Sequence, residues 1–378
     1  MRKLLIILFL FLCSAIAYSQ PYYVSTTGSD ANPGTITEPF YSWQKGFVTA
    51  EAGDTVFFRG GTWHPASAWA GGNNINRIQP ASGYGHTGTA ESPIVFMAYP
   101  GETPILDCSL VVSPGGYNTG ILINGAEYLK FIGLEIKNIW QQGSSLIYLD
   151  TVSVVGINAY EVANFHFERM SIHDLGGRGY YFESGAWDEA LEGEPAPYAI
   201  DTTRWINCDV YNCIDTISDA PGNMADGWKV VGYKGNYHYY YGCRAWHLSD
   251  DGFDCGREGI QYWDHCWAWD IGYLERGNGN GFKLGGLRDT VPYPSKILVN
   301  SLAAWCNNVV REASVSAGIE EIDYLETYDP PYPYYRANAR VYNNTLYRNE
   351  VGVLSNENEN YPFRNTVWRN NIAYQSLL

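Results

Sequence analysis

Short apolar segments of four to six residues recur along the second half of the chain, and each is bounded by Gly, Asn or Asp. Six of them contain a small or branched apolar residue followed by an aromatic one: Val210-Tyr211, Ala245-Trp246, Ala268-Trp269, Ala304-Trp305, Leu346-Tyr347 and Ala373-Tyr374. Their spacings are 35, 23, 36, 42 and 27 residues. A fixed minimum spacing, near 23 residues, with additions of variable length is typical of stacked coils that carry loop insertions. Because no amphipathic helix pattern separates the segments, they predict an all-β fold, a right-handed parallel β-helix (solenoid).

Two further repeat positions support this stacking. One position precedes the apolar segment and holds a cysteine in three coils, at Cys208, Cys243 and Cys266. Since free cysteine is among the most buried residue types, we expect an apolar ladder inside the β-helix, with disulfides between neighbours as the alternative. The other position follows the aromatic residue and holds Asn212, His247 and Asp270. These polar residues are predicted to form a turn in each coil.

Two stretches interrupt the period, residues 176–203 and 313–336. Both are long for connections in a compact domain, and such insertions are usually functional. On a β-helix they are predicted to be long loops that border a surface groove.

The first twenty residues are predicted to be a signal peptide rather than part of the fold. Basic residues at Arg2 and Lys3 precede an apolar run from 4 to 12, and small residues follow at 15–17. Cys13 raises the alternative of a lipid-modified N-terminus. We therefore expect a secreted, periplasmic or cell-surface protein whose residues 21–378 form one β-helix domain. The last letters, "AYQSLL", fall within a coil, and an uncapped end would expose a β edge, so we expect this domain either to be incomplete at its C-terminus or to associate there.

The charge of the chain limits its partners. The formal net charge is −16, and it becomes −18 when Arg2 and Lys3 are removed. Such a surface argues against nucleic acid and anionic membranes as partners. No later apolar run reaches the roughly 20 residues that a membrane-spanning helix needs. Seven cysteines remain after residue 20, without any CxxC spacing, so no metal–thiolate site is indicated. A monomer is expected.

Three segments align on an acidic or amide residue, a glycine, an aromatic and a charged residue: "ADGWK" (225–229), "DDGFD" (250–254) and "GNGFK" (279–283). We interpret them as one position on successive coils, where the glycine turns the chain and the aromatic ring points inward. Stacking then forms one column from Asp226, Asp251 and Asn280. It forms a second column from Lys229, Asp254 and Lys283, with Asp250 beside the first.

This alignment brings together four carboxylates, those of Asp226, Asp250, Asp251 and Asp254. Ca²⁺ accepts about 6 to 8 oxygen ligands with loose geometry, so the cluster predicts a calcium site assembled by stacking. The alternative is a salt ladder of Lys229, Asp254 and Lys283 with the other carboxylates solvated. The metal hypothesis explains more of the residues, because two lysines cannot neutralise four carboxylates and like charges on neighbouring strands cost stability.

The three segments, together with the opening "YYVSTTGSDANPGTITEPFYSWQKG", resemble polysaccharide lyase family 9, the β-helical pectate lyases and their relatives. The resemblance covers the N-terminal cap and residues 223–286 well. It implies that Asp226, Asp250, Asp251 and Asp254 bind one calcium and that Lys283 is the catalytic base. It also implies a substrate, an acidic plant-type polysaccharide that contains galacturonate, either pectate (polygalacturonan) or rhamnogalacturonan.

The implied chemistry is β-elimination, in which a base removes the C5 proton of a uronate and the O4 glycosidic bond breaks. Calcium would act as a Lewis acid on the substrate carboxylate. Because the reference pKa of lysine is about 10.4 and the base must be neutral, we expect activity to have an alkaline pH optimum if Lys283 is the base. Further substrate carboxylates need basic partners, and five residues near the motifs are candidates: Lys229, Lys234, Arg244, Arg276 and Arg288.

Two alternatives remain open. "ADG" and "DDG" are also similar to the paired aspartates of β-helical polygalacturonase-type hydrolases, but no "GHG" or "RIK" accompanies them, and hydrolysis leaves Lys283 without a role. A secreted β-helix that binds glycans without cleaving them is the other alternative, because a fold alone does not define a function.

Overall fold

The computed structural model describes thirteen segments of the chain: residues 21–66, 74–112, 118–142, 154–184, 201–218, 220–232, 235–257, 259–274, 276–284, 294–307, 315–322, 339–356 and 366–376. The predicted signal peptide and Cys13 lie outside these segments. The described residues contain one α-helix, one 3₁₀ turn (Pro80–Ser82) and thirty strands.

The elements in chain order are β1 (Tyr22–Val24), α1 (Trp43–Thr49), β2 (Thr55–Phe58), β3 (Gly61–Trp63), β4 (Asn74–Ile78), β5 (Ile94–Ala98), β6 (Pro104–Asp107), β7 (Asn118–Asn124), β8 (Leu129–Ile132), β9 (Glu135–Ile139), β10 (Val154–Val162), β11 (His166–Glu168), β12 (Ser171–Leu175), β13 (Arg178–Ser184), β14 (Thr202–Ile206), β15 (Asp209–Cys213), β16 (Trp228–Gly232), β17 (Tyr237–Tyr241), β18 (Arg244–Leu248), β19 (Phe253–Arg257), β20 (Ile260–Asp264), β21 (Trp267–Ile271), β22 (Phe282–Leu284), β23 (Lys296–Val299), β24 (Leu302–Cys306), β25 (Ala317–Ile322), β26 (Ala339–Tyr342), β27 (Thr345–Tyr347), β28 (Val351–Asn356), β29 (Val367–Arg369) and β30 (Ile372–Tyr374).

The strands form three sheets that run the length of the molecule. The first sheet has the order β1-β2-β5-β8-β11-β14-β17-β20-β23-β26-β29, the second β3-β6-β9-β12-β15-β18-β21-β24-β27-β30, and the third β28-β25-β22-β19-β16-β13-β10-β7-β4. Each coil contributes one strand to each sheet, as β17, β18 and β19 do, and each strand pairs in parallel with its equivalent in the next coil. The predicted right-handed parallel β-helix is confirmed.

The register agrees with the sequence repeat except at one coil. Ala245 pairs with Ala268 and Trp246 with Trp269, as the aromatic dipeptides predict. In the following coil, however, Ala303 pairs with Ala268 and Ala304 with Trp269. The alignment of Ala304-Trp305 with the other dipeptides was therefore wrong by one residue. Trp305 occupies the bend position of its coil instead.

The next-to-last residue of each of these strands has left-handed backbone and bends the chain. The φ angles are 53° at Asn212, 54° at His247, 56° at Asp270 and 53° at Trp305. Asn and Asp adopt this conformation more readily than most other residues, which confirms the predicted turn column. Tryptophan is an unusual occupant of it.

The interior of the coils is filled by ladders of equivalent residues. Cys208, Cys243 and Cys266 are fully buried, and all seven cysteines after residue 20 are free and buried. The expected thiol ladder is therefore present, and the alternative of disulfides between neighbours is wrong. Ser301 and Asn344 continue the column, and Asn344 Oδ1 accepts a hydrogen bond from the Ser301 amide at 2.9 Å.

The two stretches that interrupt the period are more regular than predicted where the structure describes them. Residues 178–184 form β13 and residues 317–322 form β25, and both strands belong to the third sheet. The prediction of continuous loops was wrong for these strands. Residues 185–200 and 323–336 lie outside the described segments.

The N-terminal end of the β-helix is covered by α1. Ser42 caps this helix, and its side chain accepts a hydrogen bond from the Lys45 amide at 3.1 Å. Trp43 and Phe47 are buried against Phe58, with ring centroids at 4.8 and 5.7 Å. The helix therefore closes the interior ladder at this end. Within the described segments, no helix has the length and apolar character needed to cross a membrane.

Candidate active site

The three aligned segments lie at the beginning of β16, β19 and β22 in the third sheet. Lys229 pairs with Asp254 and Asp254 with Lys283, so the predicted column of charged residues is one register position on three successive coils. The aromatic residues before them are buried and stacked. The centroids of Trp228 and Phe253 are 4.6 Å apart, and those of Phe253 and Phe282 are 4.9 Å apart.

The glycine of each segment is required by close packing between coils rather than by a positive φ. A Cβ on Gly227 would lie 2.5 Å from the carbonyl oxygen of Gly252, and a Cβ on Gly252 would lie 2.6 Å from that of Gly281. Both distances are shorter than side chains allow. Backbone hydrogen bonds also join the coils here, since Gly227 N donates to Asp251 O at 2.9 Å. The coils are therefore in direct backbone contact at the acidic cluster.

The charged side chains are far more buried than the expected outward-facing position suggests. Asp251 is fully buried, and Asp226, Asp250, Asp254 and Lys283 are each at most 5% exposed. Ionised groups that are withdrawn from water to this degree must be paired with opposite charges or bind a metal. Their partners therefore decide the chemistry of the site.

Lys283 and Lys229 are paired with two of the aspartates. The Lys283 ammonium lies 3.1 Å from Asp251 Oδ2 and 3.3 Å from Asp254 Oδ2. Lys229 donates to the same Asp254 oxygen. The pairing expected for a salt ladder is thus present, although the remaining carboxylates are buried instead of solvated.

Arg178 is a third cation of the site, and it is absent from the residues predicted from the sequence. It begins β13, one coil before Asp226, and its Nε donates to Asp226 Oδ2 at 3.1 Å. Its side chain is 15% exposed. The signal was present in the letters "RGYY", where Gly179 and Tyr180 occupy the positions of Gly227 and Trp228, but this segment was assigned to a loop.

Asn280 and Glu320 extend the cluster on the other side. The Asn280 amide N and Nδ2 both donate to Asp251 Oδ1, at 2.8 and 3.0 Å, so the orientation of this carboxylate is fixed. Nδ2 also donates to Glu320 Oε2 at 2.7 Å. Glu320 follows Lys283 in the charged column. It was missed because its glycine, Gly318, is followed by Ile319 and not by an aromatic residue.

The pairing leaves the cluster short of positive charge. Burial, with the charges of Asp226 and Asp251, raises the pKa of Asp250 well above its usual range. Burial also raises the pKa of Asp251 to about 6, although Lys283 opposes the shift. Burial acts the same way on Asp254, but Lys229 and Lys283 outweigh it and lower its pKa to about 2. The three cations therefore stabilise only some of the carboxylates in their ionised form.

The donor set fits a hard divalent cation. Asp226, Asp251 and Asp254 each offer an oxygen, and these oxygens lie within 4.8 Å of one another. Asp226 Oδ1 is buried and has no hydrogen-bond partner in the described structure. A buried carboxylate oxygen without a donor is costly, and a cation would satisfy it. Asp250 adjoins the cluster, and its Oδ1 accepts a hydrogen bond from the Asn278 amide at 2.9 Å.

The residues predicted to contact substrate are not all close to this cluster. Lys229 is part of it. Arg244 lies at the opposite end of β18 from Asp250, and its Nε donates to Asp209 at 2.7 Å. Arg276 is exposed in the turn before Asn280, where its amide donates to Pro221 O at 3.2 Å. Lys234 and Arg288 lie outside the described segments. The roles of all five residues stay predictions.

The fold and the site together define a parallel β-helix with an acidic cluster at the close contact of three coils. The chain belongs to the family described as Pel9A-like, right handed beta helix region, whose model matches residues 22–311. The resemblance stated from the sequence is thereby confirmed.

Two curated relatives are pectate lyases. The chain is 29% identical over 318 residues to pectate lyase PEL9 of Emericella nidulans, an alignment that covers 75% of this chain and 67% of that protein. It is 28% identical over 296 residues to pectate lyase L of Dickeya chrysanthemi, covering 73% of this chain and 58% of that protein. The chain thus spans between 58% and 67% of the length of these two relatives.

Two solved structures share the fold. A rhamnogalacturonan lyase superposes with a TM-score of 0.61 at 23% identity and covers 87% of this chain and 82% of its own. The pectate lyase Pel9A superposes with a TM-score of 0.58 at 19% identity and covers 95% of this chain and 80% of its own.

Proposed function

We propose that this chain is a calcium-dependent polysaccharide lyase that cleaves galacturonate-containing polymers by β-elimination, with Lys283 as the base. The observation that carries the proposal is the contact of Lys283 with an aspartate cluster that has an unsatisfied buried oxygen. The family and the pectate lyases among its relatives support the same activity. The predicted signal sequence supports action outside the cytoplasm.

Asp226, Asp251 and Asp254 would hold the calcium, with Asp250 beside them. When bound, calcium would supply a Lewis acid for the uronate carboxylate, which makes the C5 proton more acidic. Arg178 and Asn280 keep the carboxylates of Asp226 and Asp251 in position. These contacts fix the ligand oxygens before substrate arrives.

Lys283 would take the C5 proton on its Nζ. The electrons of the C5–H bond then form the C4–C5 double bond, and the C4–O4 bond breaks with its electrons on the leaving oxygen, which is protonated by solvent. Lys283 must be neutral for this step, whereas Asp251 and Asp254 favour its ammonium form. The base therefore becomes available when these carboxylates are engaged by another cation and the solution is alkaline.

Hydrolysis is less well supported by the geometry. Glycosidases place two carboxyl groups about 5 to 5.5 Å apart in retaining enzymes and about 6.5 to 9.5 Å apart in inverting ones, and their mechanism uses no lysine. Here Lys283 contacts both Asp251 and Asp254, and hydrolysis would leave this lysine without a role.

The deciding experiment follows the ultraviolet absorbance of unsaturated uronate ends on polygalacturonan and on rhamnogalacturonan, with calcium and with a chelator. A calcium-dependent rise on either polymer is expected. Reducing ends without that absorbance would instead identify a hydrolase. Polymer binding without either product would identify a non-catalytic glycan-binding protein.

A further inference from the structure

A second surface feature lies one to two coils beyond the acidic cluster. It is a cavity of about 320 Å³ at the bends that follow β21 and β24, and its lining residues are Asp270, Ile271, Gly272, Tyr273, Trp305 and Asn307. Its volume is at the lower end of the range for small-molecule sites. None of the interactions derived above for the acidic cluster involves these residues.

The backbone that lines the cavity packs directly against the segment that carries Asn280. A Cβ on Gly272 would lie 2.8 Å from Asn307 O and 2.9 Å from the Cα of Gly279, so these backbones are in direct contact. Gly279 precedes Asn280, which holds Asp251. With coils about 4.8 Å apart, Trp305 lies about 10 Å along the axis from the coil of Asp251. A polymer bound at the cluster and extended along the axis would reach it.

Trp305 is placed where the fold does not require a tryptophan. It has a φ of 53° in the bend column, and earlier coils use Asn212, His247 and Asp270 there. Its side chain is 45% exposed, so it adds little to the core. The next coil also holds a long side chain in left-handed backbone at the equivalent position, Arg348, so the exposed indole and not the φ angle distinguishes Trp305.

The other lining groups complete a surface suited to a sugar. Tyr273 is 46% exposed and its ring lies against His247, with centroids 4.3 Å apart. Asp270 accepts a hydrogen bond from His247 Nδ1 at 2.8 Å and remains 49% exposed. Two exposed aromatic rings with a carboxylate and an amide offer both apolar contact and hydrogen bonds to hydroxyl groups.

The charge of the cavity selects among sugars. Among the described residues that line it, Asp270 carries a charge and the other five do not. A uronate here would bring its carboxylate close to Asp270, and like charges a few ångströms apart repel. An uncharged sugar carries no such penalty.

We infer that this cavity is a subsite for a neutral pyranose, and that the chain therefore acts on a polymer in which galacturonate alternates with a neutral sugar, as in rhamnogalacturonan. The inference rests on the proposed function, because it places a galacturonate of the same polymer at the aspartate cluster. It selects between the two polymers that the sequence left open.

The test measures binding by calorimetry, with calcium present, in a Lys283→Met background so that the ligands are not consumed. The probes are a galacturonate–rhamnose tetrasaccharide and tetragalacturonate. Trp305→Asn is expected to weaken binding of the alternating probe about fivefold or more and to leave tetragalacturonate within about twofold. Asp270→Asn, which keeps an oxygen for His247, is expected to tighten binding of tetragalacturonate.

The variants are chosen to separate binding from folding. Asn212 occupies the same bend position, so Trp305→Asn is expected to leave the melting temperature unchanged or raised. The matched control is Trp267→Ala, at the other end of β21, whose side chain is 47% exposed. The control is expected to leave the affinities for both probes unchanged.

Several results would overturn the subsite: equal effects of Trp305→Asn and Trp267→Ala on the alternating probe, an equal loss for both probes, no tightening with Asp270→Asn, or no binding of either probe. Cleavage by the wild-type chain is measured separately. If neither polymer yields unsaturated ends while the binding pattern holds, the lyase proposal fails and the neutral-sugar subsite stands.

Discussion

The ammonium of Lys283 lies 3.1 Å from Asp251 Oδ2, in a pair whose two side chains are both buried. The two residues come from neighbouring coils, 32 positions apart in sequence. The pair places the proposed base directly beside a ligand of the proposed calcium site. Substitution of Lys283 should therefore affect turnover, whereas substitution of Asp251 should affect the binding of calcium.

Lys283→Met should abolish turnover without loss of the fold. General-base catalysis contributes about 10²- to 10⁴-fold, so the rate of formation of unsaturated ends should fall by that factor while polymer affinity changes little. The control is Lys137→Met, because Lys137 is a partly exposed lysine that lies 3.8 Å from Glu135, far from the cluster. A Lys283→Met enzyme with wild-type turnover would remove the lysine from the mechanism.

Calcium should stabilise the folded protein through the cluster. At a calcium concentration 100 times the dissociation constant, the free energy of unfolding should rise by about 2.7 kcal/mol. Differential scanning calorimetry with calcium and with a chelator measures this gain. Asp251→Asn should lose most of it, whereas Asp209→Asn, which affects the partly exposed pair with Arg244, should retain it. Equal gains in both variants would place the ion elsewhere.

The metal-free protein should become less stable as pH rises from about 4 to 6. The pKa of Asp251 is raised to about 6 in the folded state, so the native protein keeps a proton that the unfolded chain releases. Stability linked to this group is complete below the unfolded pKa and is lost as the pH approaches 6. Urea unfolding across this range, with a chelator, measures the slope.

Asp250→Asn should remove part of the stability loss that ionisation of the buried carboxylates causes. The pKa of Asp250 is raised, as that of Asp251 is, and the cause is burial beside other carboxylates. In chelator at neutral pH the variant should be more stable than wild type, by at least about 1 kcal/mol. Added calcium should narrow or reverse the difference. A variant less stable than wild type in chelator would show that the Asp250 carboxylate is not a source of strain.

Arg178→Ala should weaken calcium binding although Arg178 is not a predicted ligand. Its Nε fixes Asp226 Oδ2 at 3.1 Å, which leaves Oδ1 directed to the cluster. Loss of such a supporting contact typically lowers metal affinity about 10- to 100-fold. Calcium titration by calorimetry measures it, and Arg178→Lys should recover only part of the loss because an ammonium lacks the planar fork. Unchanged affinity in Arg178→Ala would assign the arginine to charge balance alone.

The buried hydrogen bonds of Asn344, in the column that continues the cysteine ladder, should contribute strongly to stability. Asn344 Nδ2 donates to Leu298 O and to Asn371 Oδ1, both at 3.0 Å, and its Oδ1 accepts from the Ser301 amide. Asn344→Ala leaves buried groups unsatisfied and should cost about 2 to 4 kcal/mol in urea unfolding. The exposed neighbour Thr345 provides the control, and Thr345→Ala should cost well under 1 kcal/mol.

The repeat could be predicted from sequence because each coil reuses the same residue types at the same register. The glycine and aromatic residues of the three segments determined which charged residues meet, and the structure places Lys229, Asp254 and Lys283 accordingly. Arg178 and Glu320 were missed since long insertions separate their strands from the neighbouring coils. Register in a β-helix depends on pairing between coils, and insertions conceal that pairing in the sequence.

Burial was the other property that the sequence did not show. An outward-facing position on a strand predicts solvent contact, but the cluster residues are almost fully covered. Trp305 illustrates the opposite error. Its aromatic ring suggested the register position of Trp269, whereas Ala304 occupies that position and the indole of Trp305 is exposed.

The glycine column has a consequence for how the site tolerates its own charge. The carboxylates of Asp226 and Asp251 are brought together by backbone hydrogen bonds between coils, such as Gly227 N to Asp251 O at 2.9 Å and Gly252 N to Asn280 O at 2.8 Å. Their separation is set by the hydrogen-bonded stacking of the described coils, so repulsion between the two carboxylates cannot increase it. Little reorganisation is then needed when a cation arrives, and the cost of assembling the charges is met once, when the chain folds.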